Sequence, residues 1–366
     1  MHIPFIDLKS QYLAYQEEIN QAIQKVLTNT NFINGAEINQ LEQELTQYAQ
    51  ARHAIGCSSG TDALVMALMA INIQPGDEII TTAFTFVATA EAISLLGARP
   101  VFIDIRPETC LLDHEQIEDA ITARTKAIIP VSLFGQTADM DAINAIAAKH
   151  QITVIEDAAQ SFGATYKHKK SCAISTLACT SFFPSKPLGC YGDGGAVFTN
   201  QNELAEKCFQ IRNHGQSDQY NYRYRGLNAR LDTIQAAILS VKLKYFDQEI
   251  TKRTAAAQHY DQLLAETADA GKISIIRQAD YGQSVYAQYS LTSNQRELLI
   301  KKLKAVGITV RIYYPKPLHQ QIPYQSKAKL PVTEQLSKTI FSVPLSPFIT
   351  PEQQIYIADA INRVCH

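Results

Sequence analysis

The chain has 366 residues, 46% hydrophobic and 19% charged, enough for a sizeable core in two domains or in one large domain with an appendage. A formal net charge of −2 gives no overall field for nucleic acid or an anionic membrane surface, so any phosphate must be bound by a local site. Seven scattered cysteines without a CxxC pair argue against a disulfide framework or a zinc ribbon and for free thiols in a reducing cytoplasm. The first residues lack a basic region followed by an apolar core, and no apolar run reaches membrane-spanning length, so neither a signal peptide nor a membrane span is expected.

The first residues read as extended. A helix is predicted over 16–28, where Ile19, Ala22, Ile23, Val26 and Leu27 recur at helical spacing. Asn34-Gly35 marks a turn before a second helix with Ile38, Leu41, Leu45 and Tyr48 on one face. A short strand ends near Cys57, and Ser58 or Ser59 caps the helix after it. The free amides at Gly60 and Thr61 then offer an anion site, although ordinary helix capping is the commoner reason for such a sequence. Strands are predicted over 78–82, 100–105, 126–131 and 152–156, alternating with helices over 88–96, 117–123 and 141–150. That alternation implies βαβ units and a parallel sheet, with ligands beyond the carboxyl ends of the strands. Phe86 stands at one strand–helix junction, either as core or as a platform for a flat ring. Asp157 stands at another strand end, either pairing with a cationic ring nitrogen or capping a following helix.

Farther on, 202–212 reads as a helix. The polar loop over 213–226, rich in tyrosine and arginine, suits a surface or a subunit boundary. One long helix is expected to run from Asp232 through Phe246 to Leu264. Its length suggests a bridge between a large domain, residues 1–245, and a smaller α+β domain, residues 246–366. The smaller one would contain strands over 286–291 and 309–314 and helices over 295–306 and 351–364.

Chemistry concentrates in the segment from Ser181 to Gly195, where Lys186 lies among small, aromatic and turn-forming residues and glycines cluster after it. Glycine lets backbone approach a ligand closely, and a lysine amine that has lost its proton can form a Schiff base with an aldehyde. Lys186 alone reads as a solvated loop lysine. Joined with an anion-binding helix start, an aromatic and an Asp at a strand end, it fits pyridoxal 5'-phosphate.

At these residues the chain resembles the DegT/DnrJ/EryC1/StrS sugar aminotransferases. The matching motifs are Ser59-Gly60-Thr61-Asp62-Ala63-Leu64, Glu156-Asp157-Ala158-Ala159-Gln160-Ser161, Phe182-Phe183-Pro184-Ser185-Lys186 with Gly192-Asp193-Gly194-Gly195, and Asn228-Ala229-Arg230-Leu231. The resemblance covers nearly the whole chain. It implies an α/β protein of PLP fold type I (aspartate aminotransferase-like), with a mostly parallel sheet in the large domain. It implies Lys186 as the Schiff-base lysine and general acid–base, and Asp157 as partner of the pyridine nitrogen. Gln160 would lie near the cofactor's O3′, Phe86 would stack on its ring, and Gly60, Thr61 and Ser181 would hold its phosphate. Asn228 would reach the cofactor of a neighbouring subunit, which implies a homodimer with shared active sites. His214, Arg230 and Tyr314 would face the substrate.

Within the family, the Cys179–Gly195 stretch resembles members acting on a UDP-linked 2-acetamido-3-keto-glucuronate for O-antigen synthesis, with L-glutamate as amine donor. One departure is Tyr313-Tyr314-Pro315, where His-Tyr-Pro is usual. A 4-keto nucleotide sugar as acceptor, a PLP lyase activity and a non-catalytic binding or regulatory protein are the alternatives. The residues themselves do not distinguish a 3-keto from a 4-keto sugar.

Overall fold

The computed structural model describes residues 3–365, so the extended reading of Met1 and His2 lies outside the described residues. Helices α1 (Leu8–Asn29) and α2 (Ala36–Ala49) open the chain. A run of alternating elements follows: β1 (His53–Cys57), α3 (Gly60–Ala70), β2 (Glu78–Thr82), α4 (Val87–Leu95), β3 (Arg99–Ile103), α5 (Ile117–Ala120), β4 (Thr125–Ile129), α6 (Met140–His150) and β5 (Thr153–Asp157). Two short strands, β6 (Thr165–Tyr166) and β7 (Lys169–Lys170), precede β8 (Leu177–Ser181) and β9 (Gly195–Thr199), which flank the Lys186 loop.

The main sheet has the order β1-β9-β8-β5-β4-β2-β3. Its neighbours from β3 across to β8 are parallel, while β9 runs antiparallel to both β8 and β1. The expected mostly parallel sheet is therefore present, with one reversed strand that returns the lysine loop. Neither β8 nor β9 was assigned as a strand from sequence. Leu64, Met66 and Leu68 of α3 share one apolar cluster with Ile79, Ile129, Ile155 and Val197 of the sheet, which anchors the helix start beside the strand ends.

The remainder comprises α7 (Asn202–Arg212), the small hairpin β10 (Gln216–Asp218) and β11 (Asn221–Tyr222), α8 (Thr233–Leu243) and α9 (Phe246–Asp269). Then come β12 (Ser274–Ile275), β13 (Gly282–Gln283), β14 (Tyr289–Thr292), α10 (Arg296–Ala305), α11 (Pro331–Thr339), β15 (Ile340–Val343) and α12 (Pro351–Cys365). Strands β12, β14 and β15 form a second sheet. Tyr260, Leu264, Leu291, Phe341 and Ile357 share a separate apolar cluster around it.

Four expectations need correction. Helix α1 starts at Leu8, eight residues before the expected Gln16, because the Asp7 side chain caps it by accepting from Ser10 N (3.0 Å) and Ser10 Oγ (2.6 Å). The long helix is two, broken at Lys244–Tyr245. There the Tyr15 ring stacks on Tyr245 at 4.2 Å, and Glu18 accepts from both Lys244 Nζ and the Tyr245 hydroxyl. The expected strand over 309–314 is irregular and, among the described residues, pairs only through an isolated bridge at Arg311, with another at Ile308 just before it. No helix follows Asp157; residues 158–163 form turns, so the capping alternative falls away. Among the described residues no helix is long and apolar enough to cross a membrane.

Candidate active site

A cavity of about 490 Å³ lies beyond the carboxyl ends of the parallel strands. Its walls include Gly60, Thr61, Phe86, Asp157, Gln160, Ser181, Lys186 and Tyr314, eight of the eleven residues proposed from sequence.

At the base of α3, Ser59 is the cap and its hydroxyl accepts from Asp62 N at 3.0 Å. The amides of Gly60 and Thr61 precede the first intrahelical bond and point out of the helix end, where the dipole favours negative charge. Gly60 is needed here because a Cβ would lie 2.7 Å from Ser181 Cβ. Ser181 ends β8, so helix start and strand end meet at this point.

Asp157 ends β5 and is buried. Its Oδ2 accepts from Thr89 Oγ1 at 2.7 Å, and its Oδ1 from Ala159 N at 3.2 Å. Burial raises its pKa against the lowering effect of these donors and of Lys186. Burial lowers the pKa of Lys186, and the Asp157 carboxylate pulls it partly back. The pair thus holds a lysine that gives up its proton more readily than an exposed one, beside a carboxyl that keeps its proton more readily than usual.

Lys186 sits in a tight turn, its amide bonded to Phe183 O at 2.8 Å. Phe86 caps α4 and is 57% exposed, so a flat face is open to the cavity. Gln160 is engaged on both sides of its amide. Its Oε1 accepts from Phe134 N at 2.9 Å, and its Nε2 donates to the Tyr314 hydroxyl at 3.2 Å.

His214 and Arg230 do not join this group. They line a different cavity of about 500 Å³ with Phe209, Arg212 and Asn213. Asn228 lines neither, pairing instead with Asn213. Arg230 Nε is buried without a partner among the described residues.

Sequence reasoning passed over Thr89, which holds Asp157, and Gln288, which lines the cavity; Ile6 and Tyr313, the latter noted from sequence only as a departure from the usual motif, line it too. The sequence carries no signal for Thr89: Thr85, whose hydroxyl lies 3.2 Å from it, precedes the cap of α4.

A family model described as the DegT/DnrJ/EryC1/StrS aminotransferase family matches residues 14–362. A UDP-2-acetamido-2-deoxy-3-oxo-D-glucuronate aminotransferase of Pseudomonas aeruginosa is 51% identical over 348 residues, covering 95% of this chain and 96% of that protein. A UDP-N-acetyl-3-dehydro-alpha-D-glucosamine 3-aminotransferase of Acidithiobacillus ferrooxidans is 41% identical, covering 100% and 98%. The crystal structure of NtdA from Bacillus subtilis with bound cofactor PMP superposes with a TM-score of 0.94 at 32% identity, covering 100% of this chain and 85% of that one. The chain therefore belongs to the DegT/DnrJ/EryC1/StrS aminotransferase family and is a pyridoxal 5'-phosphate-dependent enzyme of fold type I.

Proposed function

We propose that the protein moves an amino group from L-glutamate to the 3-keto carbon of a UDP-linked 2-acetamido-3-keto-glucuronate. The reading is carried by one observation: Lys186 and Asp157 line one cavity beside the start of α3. The identity to the Pseudomonas aeruginosa protein supports the choice of acceptor. The residues also suit the cofactor. Gly60, Thr61 and Ser181 leave a small, amide-rich corner for a phosphate, and the open face of Phe86 suits an aromatic ring.

When bound, the cofactor supplies an aldehyde to take up the amine and a ring to spread the electron pair left at the donor's Cα. The protein does the rest. Lys186 holds the cofactor through its amine. Once released, it takes the Cα proton as a base, which its lowered pKa favours. Asp157, fixed by Thr89 and Ala159, keeps a proton on the ring nitrogen. Burial of Asp157 keeps water from competing for its carboxyl.

Asn228, His214 and Arg230 act across a homodimer, each chain completing its partner's site. Their separation from the Lys186 cavity within one chain supports this. The division into residues 1–245 and 246–366, a cytoplasmic location and a role in O-antigen synthesis belong to the same proposal.

The test is an absorbance spectrum of the purified protein before and after L-glutamate, followed by UDP- and dTDP-linked keto sugars as acceptors. A visible band that glutamate discharges and the UDP-linked 3-keto sugar restores is expected. A band that glutamate leaves unchanged would sink the donor half of the reading. No band after incubation with pyridoxal phosphate would sink the role of Lys186.

A further inference from the structure

A second lysine lies behind the Lys186 loop, outside the cavity. Lys242, near the end of α8, is only 2% exposed, and its Nζ donates to the carbonyl oxygen of Gly189. A buried ammonium is costly unless its surroundings compensate it. Here they do so in part. The Tyr191 ring lies 5.3 Å from Nζ, and Glu249 of α9 supplies an opposing charge. Glu249 is itself buried and held from α1 by Gln11 Nε2 at 2.9 and 2.8 Å. Arg253 of α9, also buried, opposes the ammonium, and Cys190 of the loop faces it. Burial brings the Lys242 pKa down to about 8, with Glu249 holding it from falling further.

Gly189 is a sensitive point of contact. A Cβ there would lie 2.5 Å from Pro184 O and 2.7 Å from Phe183 O, so its backbone is folded directly against the turn that carries Lys186. Phe183 O is also the acceptor for the Lys186 amide. Seven residues earlier on the same face of α8, Gln235 Oε1 accepts from Tyr191 N at 2.8 Å. One helix face therefore grips the loop twice, at Gly189 and at Tyr191.

We propose that Lys242 is a positioning residue: its bond to the Gly189 carbonyl sets where the Lys186 amine sits against Asp157. This rests on the functional reading of Lys186 given above. The bond comes from α8, so the reactive lysine is held by an element remote from the cavity.

The test compares Lys242→Met, which keeps the apolar stem, with Lys242→Arg, which keeps a cation and its donors. The first readout is hydrogen exchange of the peptide spanning 183–192 in cofactor-free protein. Exchange about tenfold faster in Lys242→Met is expected, with peptides of β4 and β5 unchanged and Lys242→Arg closer to wild type. The second is the pH midpoint of the visible band of the cofactor-loaded protein. A shift of at least half a pH unit is expected in Lys242→Met, along with a fall in kcat of about tenfold and little change in KM. Equal exchange in the 183–192 peptide would overturn the proposal, as would faster exchange spread evenly over the whole sheet. Exchange needs no cofactor, so failure of the Lys186 reading itself appears separately, as a wild-type protein without a band.

Discussion

The Thr89 hydroxyl donates to Asp157 Oδ2 across 2.7 Å, joining the first turn of α4 to the end of β5. Thr85 Oγ1 lies 3.2 Å from the same hydroxyl, so the donor is itself held in place. A hydrogen bond to a carboxylate contributes about 1.5–3 kcal/mol, and this one fixes the direction of the carboxylate as well. Thr89→Val keeps the shape and removes the donor. The rate of the half-reaction with L-glutamate should fall roughly 10- to 100-fold, while Thr89→Ser should stay within about threefold of wild type. Single-turnover kinetics checks this. An unimpaired Thr89→Val would mean that Asp157 is fixed by Ala159 alone.

The opposing pKa shifts of Lys186 and Asp157 make a second prediction about the cofactor-free protein. Burial lowers the lysine, and the carboxylate partly offsets that by favouring the ammonium. Asp157→Asn removes the attraction. The Lys186 pKa should therefore fall further, and its reaction with an acylating reagent should begin at lower pH than in wild type. Mass spectrometry of the labelled peptide gives the midpoint. A midpoint that rises or stays fixed would show that the two groups do not sense each other.

Much of this site was legible because its chemistry is carried by unusual residues in unusual settings. Lys186 among glycines, Asp157 at the end of an apolar run and Gly60 after a capping serine each announce a local geometry. Thr89 did not, since a threonine in a short helix has no meaning until the carboxylate across from it is known. The start of α1 was hidden because Leu8 and Leu13 face outward, so the apolar period becomes clear only near Ile19. The break between α8 and α9 carries no glycine or proline. It is imposed from α1, through Tyr15 and Glu18. Strand β8 carried no strand signal because Cys179, Thr180 and Ser181 are small. Burial between β5 and β9 makes it a strand.

Away from the site, Glu78 at the start of β2 is a buried carboxylate under two exposed guanidiniums. Burial would raise its pKa, but hydrogen bonds from Thr122 (2.7 Å), Arg99 and Arg124 (2.8 Å) outweigh this and hold it at about 2. The folded value lies below the unfolded value of about 4.3, so this contribution is fully present above that pH and is lost as pH falls toward 2. Because the arginines face solvent, it is discounted to about 1–2 kcal/mol. Glu78→Gln should be less stable than wild type by that amount at pH 7, and the gap should narrow by pH 3. Urea unfolding at both pH values measures it. A gap that widens on acidification would reverse the sign of the argument.

The corner formed by Gly60 and Ser181 makes the sharpest prediction about the cofactor. An alanine Cβ at position 60 would lie 2.7 Å from Ser181 Cβ, so helix start and strand end must part. Overpacking of this kind costs about 1–3 kcal/mol, and here it falls where the Gly60 and Thr61 amides face a phosphate. Gly60→Ala should bind pyridoxal 5'-phosphate roughly 5- to 150-fold more weakly, as that cost implies. Its binding of pyridoxal, which has no phosphate, should change little. Comparing the two ligands separates a damaged phosphate corner from a damaged protein. Equal losses for both would mean that the substitution distorts the Lys186 loop beyond Ser181. Unchanged binding of both would place the phosphate away from the start of α3, and the roles given to Gly60, Thr61 and Ser181 would have to be withdrawn together.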